Sequence, residues 1–223
     1  MAQIVSITGL QNLVNLQSFV ADFQGLQTVN LSNLPNLEYV DVSDCDFPGT
    51  DTSSLTSVNF SGSTGITEIR LDDSDFSAGL PNISALTNLY WLDVDQCNLP
   101  SLNLSGLSNL FLVDAWGNDN MTTIDITGCS SLVELYLDSC ALTQQSVDHV
   151  LAELDDQGNT GGYLDISDTG NAYPSPAGMV SLANLEGKGW TIYYNAPPTT
   201  TTTTLAPTTT TTTEVPTTTT TTI

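Results

Sequence analysis

A nine-residue pattern recurs along this chain: apolar residues at positions 1, 4 and 6, then Cys, Asn or a small polar residue at position 9. LEYVDVSDC begins at Leu37, ITEIRLDDS at Ile66, LYWLDVDQC at Leu89, LFLVDAWGN at Leu110 and LVELYLDSC at Leu132. Their central residues Val40, Ile69, Leu92, Val113 and Leu135 are 29, 23, 21 and 22 residues apart. One such unit cannot bury its own apolar face, so units repeated at this period must stack side by side on a shared core. A second, weaker set lies between the copies: LQTVNLSNL from Leu26, LTSVNFSGS from Leu55, LPSLNLSGL from Leu99 and MTTIDITGC from Met121. Alternation such as Leu102 and Leu104 inward with Asn103 outward predicts two short extended segments per repeat, one on each side of the stack.

The LxxLxLxxN/C motif resembles that of leucine-rich-repeat proteins over roughly residues 10 to 195. The resemblance implies a leucine-rich-repeat solenoid of α/β or mainly β class, with parallel strands on its main face and few helices near a C-terminal cap. More narrowly, the compact LxxLDVxxCxLxxLNLSGLxN form resembles repeats of bacterial surface proteins and of tailed-phage virion proteins. The stretch from Leu142 through GNTGGYLDISDTGN to LEGKGWTIYYN resembles a C-terminal unit common in phage-encoded repeat proteins.

That stretch reads as a cap. Thr143 is placed to N-cap a helix whose Val147, Val150, Leu151 and Leu154 share one face and which ends near Gly158. A second helix is expected after Ser175-Pro176, with Met179, Leu182 and Leu185 inward, stopping at Gly187. Trp190 and Ile192 then close a last strand. The expected organisation is a repeat domain over residues 1–195, with capping helices from about 143, and an extended tail over 196–223.

Twenty-five acidic residues face two basic ones, Arg70 and Lys188. The resulting field repels polyphosphates, which argues against nucleic-acid partners and anionic membranes. No apolar run is long enough to span a bilayer, so membrane insertion is not expected, and MAQIVSITGL lacks the features of a signal peptide.

Cys45, Cys97 and Cys140 all fall at position 9, where Asn118 stands in another repeat. Ser74 and Asn118 intervene between them. At ladder spacing this puts the cysteines about 10 Å apart, too far for disulfides. Cys129 belongs to the opposite set. No zinc site is expected from this spacing. The one histidine, His149, is expected on the surface of the first capping helix, where Ser146 and Asp148 cannot converge with it as a hydrolase triad. Five sequons occur, at Asn30, Asn59, Asn82, Asn103 and Asn120; Asn30, Asn59 and Asn103 share one repeat position, so the repeat itself accounts for them.

Positions 3, 5 and 7 of the main set should face solvent. They supply Tyr39, Glu68, Trp91, Leu112, Glu134 and, by extension, Tyr163; Asp41, Arg70, Asp93, Asp114, Tyr136 and Asp165; and Asp72, Asp95, Trp116 and Asp138. Ring faces beside carboxylates suit a glycan or a protein surface, since rings cover C–H patches and carboxylates accept from hydroxyls. The candidate binding residues are Tyr39, Arg70, Trp91, Asp93, Asp114, Trp116 and Tyr136. Asp93 and Asp114 would repel at ladder spacing unless a cation intervened, so calcium is the one candidate ion, and Arg70 is expected to neutralise Asp41 and Asp93. No other cofactor is expected.

From Thr199 the chain reads TTTTTTLAP, TTTTTTEVP and TTTTTTI. Threonine and regular proline oppose helix and favour extended backbone. Such a tail can be a solvated linker, an O-glycosylated stalk or a fibre-forming strand that makes homo-oligomers. The blocks Thr199 to Thr204, Thr208 to Thr213 and Thr217 to Thr222 are the candidate positions for glycosylation or assembly. The expectation is a non-enzymatic binding or display module, extracellular or on a virion surface. The alternative is a structural subunit of a surface filament.

Overall fold

The computed structural model describes residues 4–44, 55–168 and 170–196. Cys45 and the threonine blocks lie outside the described residues. With strands numbered along the chain, eight form one parallel sheet in the order β1 (Ser18–Val20), β3 (Tyr39–Asp41), β5 (Glu68–Arg70), β6 (Trp91–Asp93), β8 (Leu112–Asp114), β10 (Glu134–Tyr136), β11 (Tyr163–Ile166) and β12 (Thr191–Tyr194). Each strand of the set lies beside the next in sequence. The five pattern centres stand opposite one another in the ladder, Val40 against Ile69, then Leu92, Val113 and Leu135.

The pattern produces this register because positions 1, 4 and 6 are the inward ones. Leu37, Ile66, Leu89, Leu110 and Leu132 are fully buried, as are the strand centres, and Val42, Leu71, Val94, Ala115 and Leu137 follow them into the core. Position 8 turns the chain away from the sheet in a left-handed conformation. Asp44, Asp73, Gln96, Gly117, Ser139 and Asp168 all have φ between 49° and 77° there, although only one of them is glycine.

The five copies do not announce β1. Its unit reads Leu16, Phe19, Ala21, so aromatic and small residues replace the aliphatic ones and Gln24 takes the place of Cys or Asn. It still pairs with β3 in the common register, Phe19 opposite Val40.

The second set is less regular than its sequence suggests. β2 (Thr28–Asn30) pairs with β4 (Ser57–Asn59), and β7 (Ser101–Asn103) with β9 (Thr123–Asp125), as two separate two-stranded sheets. Between them runs GLPNISAL, whose NIS matches the NLS at Asn103 and so puts Pro81 where Leu102 centres β7. Proline has no N–H to donate to a ladder, and the row is interrupted at that repeat. Asn30, Asn59 and Asn103 each accept a hydrogen bond at Oδ1 from the backbone N–H two residues on, at 3.0 to 3.1 Å. The repeated NLS and NFS are thus turn devices.

Position 9 does one task with several chemistries. Asn118 Nδ2 donates to Val94 O, Cys97 Sγ to Leu71 O and Cys140 Sγ to Ala115 O. In all three the acceptor is the position-6 carbonyl of the preceding repeat. Asn171 Nδ2 makes the equivalent bond to Leu137 O, at 2.7 Å. Counting from β11 misses Asn171 because its loop is two residues longer. The second set repeats the device, with Ser63 Oγ on Leu31 O and Cys129 Sγ on Leu104 O. Cys97, Cys129 and Cys140 are free thiols. Burial pushes Cys129 and Cys140 up to about 12 and raises Cys97 further, so all three are inert donors.

Helix α1 (Gln144–Gln157) starts at Thr143, whose hydroxyl accepts from Ser146 N, and stops at left-handed Gly158. Helix α2 (Pro176–Gly187) starts at Ser175, which accepts from two backbone N–H groups. Val147, Val150, Leu151 and Leu154 of α1 and Leu182 and Leu185 of α2 are buried, with Met179 packed beside them. Trp190 seals this end: it is buried, and its indole N–H donates to Asn159 O at 2.9 Å. Gly162 leaves the space it fills, since a Cβ there would lie 2.6 Å from the ring. No helix among the described residues is long and apolar enough to cross a membrane.

Candidate binding face

Strand alternation that buries positions 4 and 6 leaves positions 3 and 5 on the outer face of the eight-stranded sheet. Two adjacent rows result. Tyr39, Glu68, Trp91, Leu112, Glu134 and Tyr163 form one, and Asp41, Arg70, Asp93, Asp114, Tyr136 and Asp165 the other. All seven residues expected from sequence lie half-buried on this side, Trp116 at the turn two residues beyond Asp114.

Within the rows, the charge of Arg70 acts on Asp93 and Asp41 as its position suggested, but its direct partner is Glu68. Its Nη2 lies 2.8 Å from Glu68 Oε1 and its Nε donates to the same oxygen at 3.0 Å. The guanidinium carbon is 4.5 Å from the Trp91 ring centroid and 5.9 Å from that of Tyr39. A planar guanidinium gains more by lying against flanking rings with its fork on Glu68 than by reaching along its own row. Asp41 is held instead by the Tyr39 hydroxyl at 3.0 Å and the Ser43 hydroxyl at 2.7 Å. One ring face of Trp91 is therefore engaged by the protein itself.

The acids downstream of Arg70 are crowded. Burial first, then the Asp93 charge, pushes Asp72 up to about 7. Burial followed by Asp114 raises Asp93 to about 6, and burial followed by Asp93 and Asp72 raises Asp95 to about 8. Asp114 reaches about 6, chiefly through burial. The Oδ1 atoms of Asp93 and Asp95 and the Trp91 indole nitrogen are enclosed without a hydrogen-bond partner among the described residues. The shifts favour a retained proton near neutral pH most strongly at Asp95. The described acids that could hold a metal are Asp44, Asp72 and Asp73, whose ligating atoms lie within 4.8 Å of one another. That trio sits at the sheet's exit turns, displaced from the Asp93–Asp114 pair.

Toward the C-terminal end the face becomes aromatic. The rings of Tyr136 and Tyr163 are 4.9 Å apart and those of Tyr163 and Tyr193 5.8 Å, forming a tilted ladder across three strands. No family model and no curated protein matches the chain.

Sequence reasoning missed a second aromatic feature. Tyr90 and Phe111, both at position 2, stack with centroids 5.0 Å apart and planes 8° off parallel. They border a shallow groove with Asn88, Asn109 and Glu68. The available signal was two large rings at a position that is otherwise Glu38, Thr67 or Val133. His149 is less exposed than expected. Its Nε2 is 3.4 Å from Asp125 Oδ1, within ion-pair distance but without a hydrogen bond.

Proposed function

We propose that this chain is a leucine-rich-repeat solenoid that acts as a non-enzymatic recognition module, binding a glycan or protein surface on the outer face of its parallel sheet. The observation that carries this is the continuous belt of half-exposed rings and carboxylates over neighbouring strands, running from Trp91 and Trp116 to Tyr136, Tyr163 and Tyr193. Rings with polar edges, spread over an open face, suit an extended surface better than an enclosed small molecule. The net charge of −23 favours a neutral or cationic partner.

In this reading the threonine-rich tail attaches, spaces or assembles the module, and the setting is extracellular or on a virion. Intact mass of the protein from its natural source tests for decoration of the threonine blocks. The face is tested by binding to glycan arrays and bacterial cell surfaces, comparing the full chain with Trp116→Ala and Tyr136→Ala. Loss of at least tenfold in affinity with unchanged melting temperature is expected. Unchanged binding in both variants would remove this face as the contact surface.

A further inference from the structure

The two ends of the sheet are unlike. At one end β12 is backed by helix α2, itself packed on α1, and sealed by Trp190. At the other, β1 is the last strand, and one of its long edges has no strand beside it among the described residues. Six large exposed apolar side chains lie in β1 or near it along the chain: Ile4, Val5, Leu13, Val14, Val20 and Phe23, each at least half exposed. Residues 1 to 21 contain no charged side chain, in a chain that carries 25 acids.

Ala21 N–H donates to Asp41 O and Tyr39 N–H to Gln17 O, so the odd-numbered residues of β1 turn their backbone groups toward β3. By alternation, the N–H and C=O groups of Ser18 and Val20 point to the open edge. A bare strand edge beside exposed apolar residues is a template for pairing with another chain.

We infer that β1 pairs antiparallel with β1 of a second copy, giving a twofold dimer joined at its charge-poor ends. A second copy fits for two reasons. Two molecules of net charge −23 repel wherever acidic surfaces meet, and residues 1 to 23 at this end carry one acid of the 25, Asp22. The edge is also self-complementary. A twofold axis at Phe19 sets Ser18 opposite Val20 of the other copy, so each pair exchanges both of its backbone hydrogen bonds, and the exposed apolar residues meet their own images. The axis is perpendicular to the sheet, so the outer face continues across the joint and the dimer presents two copies of the proposed recognition face on one side.

Sedimentation of the full chain across a wide concentration range tests this. The expected result is a monomer–dimer equilibrium closing at twice the 23.7 kDa chain mass. Val20→Pro removes an outward N–H without touching the bonds to β3, and Val14→Asp places like charges across the axis. Each should weaken the dimer at least tenfold while Tyr193→Lys, at the far edge, leaves it unchanged. The Ser18 and Val20 amides of the unaltered chain should gain hydrogen-exchange protection with concentration, a readout independent of any variant. A monomer at every concentration overturns the inference. So does an open-ended series of oligomers sensitive to Tyr193→Lys, which would mean head-to-tail stacking, or association indifferent to the β1 variants, which would place the contact elsewhere.

Discussion

The guanidinium of Arg70 lies over the ring of Trp91 on the neighbouring strand, 4.5 Å from its centroid, while its fork is held by Glu68. The sole described cation of the sheet face is thus engaged within the protein. Arg70→Ala should cost about 1 kcal/mol in urea denaturation, the scale of a partly desolvated cation–π contact with its partially screened ion pair. Arg70→Lys should recover less than half, because a point charge cannot both lie flat on the ring and fork to the carboxylate. Full recovery by lysine would show that charge alone matters.

The crowded aspartates set the sign of the pH dependence. Asp72, Asp93, Asp95 and Asp114 sit at about 7, 6, 8 and 6 in the fold, all above their ordinary value of 3.8. The folded state therefore holds protons more tightly than the unfolded chain, and stability is lost as pH rises through 6 to 8. Asp125 and Asp155 are shifted down by their hydrogen bonds to Thr127 and to Asn184 and Lys188, and they act oppositely once pH falls toward 4. The melting temperature should rise as pH is lowered from 8.5 to about 4 and fall again below that. Asp95→Asn should flatten the alkaline limb and stabilise most at pH 8. A melting temperature that is level across this range would contradict the shifts.

A calcium ion held by Asp44, Asp72 and Asp73 would compete with the proton on Asp72. At pH 8 millimolar Ca²⁺ should raise the melting temperature by binding this trio, and at pH 5 it should do little. Asp73→Asn should abolish the difference. No shift at pH 8 would leave protonation alone to relieve the crowding.

Position 8 is left-handed at each described turn off the main sheet, a conformation that costs a side chain more than it costs Gly117. Gly117 has φ 69°, and a Cβ there would lie 2.9 Å from Gln96 Cγ, so Gly117→Ala should destabilise by roughly 1 to 2 kcal/mol. Gln96 is exposed and adopts φ 49°, so Gln96→Gly should be neutral or mildly stabilising. Thermal melts of the two variants moving in the same direction would exclude backbone strain as the cause.

Five strands of the main sheet were readable because their central inward residue is always Val, Ile or Leu and their spacing is nearly regular. Thr143, Gly158 and Ser175-Pro176 likewise marked the helix ends through local chemistry. What escaped notice depends on neighbours rather than on period. β1 uses Phe19 and Ala21 where other units use aliphatic residues, and Pro81 interrupts the second row although NIS still matches the pattern. On the face, membership of the rows followed from alternation. Which partner Arg70 takes did not, because ring and carboxylate compete for it across strands. The raised pKa values of Asp72 and Asp95 arise from burial at the sheet exit, which residue type alone does not reveal.

Asn118 and the cysteines perform one task with unequal capacity, and this is measurable. Asn118 Oδ1 accepts from Cys97 N and Leu99 N while Nδ2 donates to Val94 O and Ala115 O, four buried bonds from one amide. A thiol supplies the donor to the preceding position-6 carbonyl, as Cys97 does for Leu71 O at 3.1 Å, and is only a weak acceptor. Asn118→Ala should therefore cost about 3 kcal/mol by leaving buried donors and acceptors without partners. Asn118→Cys should recover the carbonyl bond but not the two N–H partners, and so fall between alanine and the native residue. Cys97→Ser, in which a hydroxyl keeps the bond to Leu71 O, should be milder than Cys97→Ala. Urea unfolding of the four variants gives the order directly. If Asn118→Cys is no better than Asn118→Ala, the shared carbonyl bond is not what selects the residue at position 9.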